Sequence, residues 1–197
     1  MRPSARFLAT AIVVSGLSSG FLATASHSSA ADDKGLRDEI LKLAEAIEKG
    51  DDGSAQAGAI AKKNELEDVM GLFRLRTKKG LGIGPTPNAI KPDGIEAKIM
   101  NLGRKPLHSG ELNAEAKELV RAAYITAAIA AIAKEKCPVD KKQGEKDPQS
   151  WKGWATDLQK ASVELAKAAE AKKANDIKTA ATKMNSSCNS CHGVFRD

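Results

Sequence analysis

Ile177-Lys-Thr-Ala-Ala181-Thr-Lys-Met184-Asn-Ser-Ser-Cys188-Asn-Ser-Cys191-His192-Gly-Val-Phe195 is the stretch on which the reading of this chain turns. Its apolar positions, Ile177, Ala181, Met184, Cys188, Cys191 and Phe195, recur at four, three, four, three and four. That is the seam of a helix packed in a bundle. Cys188, Cys191 and His192 also spell C-x-x-C-H, the attachment pattern of a c-type haem. Two thiols three residues apart stand on one helical face, about a turn from each other. They suit thioether bonds to the two vinyl groups on one edge of a haem. The imidazole directly after them can then reach the iron over the flat macrocycle.

Two other chemistries use such cysteines. A disulfide or a thioredoxin-like C-x-x-C follows a strand in a βαβ unit, and the surrounding sequence shows no such pattern. A zinc site needs a second pair of ligands, and the remaining cysteine, Cys137, stands alone.

Upstream, nearly every periodic segment is helical. Asp147-Pro148 offers an N-cap with proline at the first helical position. Trp151, Trp154, Leu158, Ala161, Leu165 and Ala168 then form a heptad seam. A polar linker, 140–147, precedes it. Before that, a helix is expected from about Asn113, as its cap, to Lys136, with a broad alanine-rich apolar surface that includes Leu119, Tyr124, Ile125, Ile129 and Ile132. Small side chains there let helices approach closely or leave room for a flat cofactor.

Between Thr77 and Gly110, repeated Gly and Pro mark a long connection with a turn of helix at about 95–102. A plain crossover loop is favoured over a flap laid against the cofactor. Gly80-Leu81-Gly82-Ile83-Gly84 lacks the spacing and the preceding strand of a dinucleotide site. A helix is expected over 54–76, with Ile60, Leu66, Met70 and Phe73 near one face. Another begins at Asp32 or Asp33, carries Leu36, Ile40, Leu43 and Ile47, and stops at Gly50–Gly53. Strand alternation is missing throughout.

The N-terminus reads as an export signal: Arg2 and Arg6, an apolar run over 7–14, then small residues up to Ala31. An uncleaved anchor is the alternative. This divides the chain into a signal peptide, 1–31, and one domain, 32–197, with no second apolar run, so that a soluble mature protein is expected. The formal charge is +6. Removing Arg2 and Arg6 from 31 basic residues leaves 29 against 25 acidic, or +4. That supports weak steering toward an acidic partner. Aromatics are few and no basic stripe is interleaved with them, which argues against nucleic acid.

An exported all-helical chain with C-x-x-C-H on its last helix resembles the class II cytochromes c, the cytochrome c-prime and cytochrome c-556 family. The ending Cys188-x-x-Cys191-His192-x-x-Phe195-Arg196 carries the resemblance. It implies an all-α four-helix bundle, here with length for an extra N-terminal helix. It also implies haem c on Cys188 and Cys191, with His192 as the proximal iron ligand, in a periplasmic protein that is not an enzyme. Family members divide at the sixth iron position. With a methionine there, the protein passes single electrons to redox partner proteins. With an apolar residue there, the iron is five-coordinate and binds small gases such as NO or CO. The expected function is electron transfer, with gas binding as the alternative, and a homodimer is compatible with either.

Met70 is the candidate sixth ligand, because a thioether suits haem iron and it lies on the inward face of an early helix. Met100 and His108 are weaker candidates. Met184, one turn before Cys188, is expected at the haem edge, and Trp151 and Trp154 as core anchors. Arg74, Arg76, Lys78 and Lys79 read as a solvated helix end, with contact to a haem propionate or a partner as the alternative. Cys137 reads as a single thiol, with an intermolecular disulfide as the alternative.

Overall fold

The computed structural model describes residues 30–196, with side chains from Lys34 onward. The segment expected to be a signal peptide, 1–31, therefore lies almost wholly outside the described residues. The described chain is all-α: α1 (Ala30–Glu48), α2 (Ser54–Lys63), α3 (Leu66–Gly71), α4 (Ile95–Arg104), α5 (Ser109–Glu135), α6 (Pro148–Glu170) and α7 (Ala174–Phe195). A single 3-10 turn, Arg76–Lys78, follows α3. No described helix is long and apolar enough to cross a membrane.

The architecture is a helical bundle built around α5. All twelve residues from Ala122 to Ala133 are buried, on every face of the helix. A helix apolar all round belongs in the middle of a protein. α6 packs along one side of α5 and α7 packs on α6, while α1, α2 and α3 close over α5 elsewhere. α4 packs on α7. It is tied to α5 through the Lys98 ammonium, 2.5 Å from Glu115 Oε2, with the Lys98 side chain only 6% exposed. The fourth side of α5 is thus taken mainly by α1, 19 residues long, with the short α2 and α3 beside it.

Alanine makes this possible, since seven of the twelve central residues of α5 are alanines that let neighbouring helices approach closely. Ala128 is completely buried. Ala128→Leu should force the neighbouring helices apart and cost about 2 kcal/mol, read as a lower urea midpoint with an unchanged slope. The same change at the exposed Lys117 should be nearly neutral.

The heptad of α6 is buried as expected at Trp151, Leu158, Ala161, Leu165 and Ala168. Its start is also as expected: Asp147 Oδ1 accepts from Gln149 N at 3.2 Å, and Pro148 takes the first helical position. The α1 face Leu36, Ile40, Leu43 and Ile47 is buried too.

Three expectations are corrected. The helix expected over 54–76 is broken: Asn64 and Glu65 are extended, with ψ near 148° at both. The break is fixed from outside the segment. Lys136 Nζ donates to Ala61 O at 3.2 Å and lies 3.6 Å from Glu65 Oε2. The long connection also ends earlier than expected. α4 fills 95–104, Lys105 is extended before Pro106 as that proline requires, and α5 begins at Ser109. Its cap is His108, not Asn113, with His108 N donating to Glu111 Oε2 at 3.1 Å.

The third correction concerns Arg76, which is not a solvated helix end. It folds residues 77–94 into a closed loop. Arg76 Nε lies 3.1 Å from Asp93 Oδ2, and Arg76 N donates to Asp93 O at 2.9 Å. Asp93 Oδ1 accepts from Ile83 N at 3.0 Å, and Oδ2 accepts from Asn88 N at 3.1 Å. Gly82, at φ +71°, sits where a Cβ would collide with the Arg76 guanidinium.

Candidate functional site

The buried seam of α7 runs through Ile177, Ala181 and Met184 and then opens. Cys188, Cys191 and His192 are half-buried, because here α7 borders an apolar cleft instead of the core. The cleft holds about 420 Å³ counted to its open mouth. α7 contributes Ser187, Cys188, Cys191 and His192 to it. α6 contributes Trp151, Trp154, Ala155 and Leu158, and α5 contributes Ile129, Ala130 and Ala133. Met70 and Phe73, in and just after α3, complete it.

The aromatic end of the cleft is tightly built. Trp151 Nε1 donates to Ala133 O at 2.7 Å. Phe195 meets both indoles edge-on, with ring centroids 4.9 Å from Trp151 and 6.3 Å from Trp154. Such contacts contribute about 0.5–1.5 kcal/mol each beyond burial, and they hold the last turn of α7 beside the cleft.

All three cysteines are free thiols. Burial, then the charge of Glu96, pushes the Cys188 thiol up to about 11. Burial, then Cys188 and Cys137, pushes Cys191 up to about 12. Both are therefore neutral near pH 7. The influence of Cys137 on Cys191 puts it at the same end of the bundle, not at a remote surface.

The structure thus brings Met70, far away in sequence, to the same cleft as Cys188, Cys191 and His192. It does not bring in the others. Met100 is 41% exposed on α4, and His108 is exposed at the start of α5. Met184 is completely buried in the core and does not line the cleft. The expectation of a haem-edge contact for it is therefore not met, because α7 turns that face toward the other helices one turn before the cleft opens. The loop 77–94 does not reach the cleft either, so the flap reading is dropped. Phe73 and Ile129 are wall residues that sequence reasoning saw only as core; their periodicity is the same in both settings.

The residue types suit a haem. Two adjacent thiols and an imidazole face a wall of aliphatic and aromatic side chains, the surroundings a flat apolar macrocycle requires. The sequence model of the family described as Cytochrome C' matches residues 97–196, just over half of the chain. No curated protein and no solved structure shows a significant match. The matched stretch contains α5, α6, α7 and the C-x-x-C-H at the cleft, and on that basis the chain belongs to the cytochrome c′ family of haem-binding carrier proteins, which are not enzymes.

Proposed function

We propose that the cleft holds a c-type haem, with Cys188 and Cys191 as its thioether sites and His192 as the protein ligand of the iron, and that the protein binds small gases there. Bound in this way, the haem supplies an iron that can change oxidation state or take a diatomic ligand. The chain's own residues decide which. The observation that carries the gas-binding reading is the composition of the wall away from α7. Met70, Phe73, Ile129 and Ala130 are all apolar. NO and CO need no hydrogen-bond donor, whereas bound O2 is favoured by one. The Trp151 indole N–H, a nearby donor, is already held by Ala133 O. Family membership supports the same reading.

A second reading rests on Met70. It lines the cleft and is the one methionine among the described residues that does so. As a sixth ligand its thioether would favour a low-spin, electron-carrying iron, serving redox partner proteins. The two readings part in one experiment. Gas binding predicts a high-spin ferrous spectrum that changes promptly on adding CO, and Met70→Leu should leave it unchanged. A low-spin spectrum, insensitive to CO until Met70 is replaced by Leu, would establish the carrier reading instead.

Export is part of the proposal. Residues 1–31 act as the signal, and the bundle works in the periplasm, where haem is attached to such motifs. The remaining balance of +4 after loss of Arg2 and Arg6 favours a mildly acidic partner. A homodimer is compatible with this function.

A further inference from the structure

A second cavity lies nearer the N-terminal end of α5, outside the haem cleft. Its walls are the loop 81–85, Leu41 of α1, Arg76, and the α5 face carrying Glu118, Arg121 and Ile125. We propose that it binds a small zwitterion of the α-amino-acid class, with the ammonium on Glu118 and the carboxylate on Arg121.

Size is the first argument. The cavity, open to solvent on one side, has a volume of about 130 Å³, close to the ~150 Å³ cavity that takes up benzene, a molecule of six non-hydrogen atoms. Alanine and serine are of that size.

Charge is the second. Glu118 Oε2 is shut off from solvent and has no hydrogen-bond partner. A buried carboxylate oxygen without a donor is costly, and an ammonium offsets that cost best. Arg121, one turn further along the same helix, is exposed at the rim of the cavity, and among the described residues it makes no ion pair. Residues three apart on a helix are neighbours on one face. A buried, unpartnered acceptor with an unpaired guanidinium at the rim beside it matches a ligand carrying both signs. An amine alone would leave Arg121 unused, and an acid alone would leave Glu118 bare. Arg76 does not compete for the role, since its guanidinium is held by Asp93 at 3.1 Å and Gly84 O at 3.0 Å.

Preformation is the third. Asp93 fixes the loop wall, and Gly82 fits there only because it has no Cβ. A cavity already shaped loses little ordering entropy on binding. Leu41 and Ile125 give it an apolar side that suits the short side chain of alanine.

Calorimetric titration of the haem-loaded protein with L-alanine, L-serine, ethylamine and acetate tests this. One amino acid per chain should bind, and ethylamine and acetate should each bind at least about tenfold more weakly. Glu118→Gln and Arg121→Gln should each weaken amino-acid binding roughly 10- to 100-fold, the range of one charge-assisted hydrogen bond, with helix content by circular dichroism unchanged. The haem absorption spectrum should not move on adding amino acid, which separates this site from the cleft. The proposal fails if neither amino acid binds at roughly 10 mM, the affinity range below useful recognition. It fails equally if ethylamine alone binds as well, or if binding survives both substitutions.

Discussion

Acid–acetone extraction of the matured protein should leave its haem on the polypeptide, and Cys188→Ala combined with Cys191→Ala should release all of it. Acidified acetone breaks iron ligation and removes the apolar advantage of the cleft, so only covalent bonds hold the haem through extraction. Each thiol supplies one such bond, so either single substitution should leave the haem attached through the other. The double variant should still fold. Both cysteines are half-buried at the cleft, where trimming a sulfur opens no closed cavity, and the nearby Trp151–Phe195 contact at 4.9 Å is untouched. His192→Ala gives the complementary result: haem retained through extraction, but with an altered Soret band, since the iron has lost its protein ligand. Haem that washes freely from the unsubstituted protein would overturn the attachment.

Asp93→Ala should cause a large loss of stability, about 3 kcal/mol, because one carboxylate organises the whole loop 77–94. The substitution strips Ile83 N and Asn88 N of their acceptor and Arg76 of its ion pair. Leaving a mostly buried charge and the buried Ile83 amide unpartnered lies in the range of several kcal/mol, lowered here because the Arg76 side chain is 27% exposed and the Asn88 amide is exposed to water. For a chain of this length that is roughly 10 °C in Tm. The same group sets a pH dependence. Burial pushes the Asp93 carboxyl up, but the amides of Ile83 and Asn88 and the Arg76 guanidinium outweigh burial and hold it below its ordinary value. Between the folded value and the ordinary one, near 3.9, the unfolded chain binds more protons. The stabilisation is therefore complete above that window and is lost as pH falls through the folded value. Urea midpoints taken from pH 7 down to 3 should fall more steeply for the unsubstituted protein than for Asp93→Asn. Parallel curves would remove Asp93 from that role.

The parts of the fold that were legible in the sequence are those decided by local periodicity. The seams of α6 and α7, the cap at Asp147-Pro148 and the face of α1 all follow from spacing. The illegible parts are decided across distance. Nothing within 54–76 announces the break at Asn64, since Lys136, far along the chain, makes the contacts there. Arg76 and Asp93 are seventeen residues apart, and a basic cluster reads as solvated until its acidic partner is seen. At the site, the motif residues were legible because their spacing is itself chemical. Met70 was legible as inward-facing, but its place beside Cys188 was not, since a core position and a cleft position share one periodicity. Met184 shows the same ambiguity resolved the other way.

The all-round burial of α5 bears on how this protein can be divided. The stretch shared with the family begins at residue 97, inside α4, yet α1, α2 and α3 cover one flank of α5. Excised at that boundary, the shared part would carry an uncovered strip of alanine and isoleucine along its central helix. Residues 30–94 are thus not an appendage on a self-sufficient module. They are the missing side of its core, and the two portions form a single unit of folding.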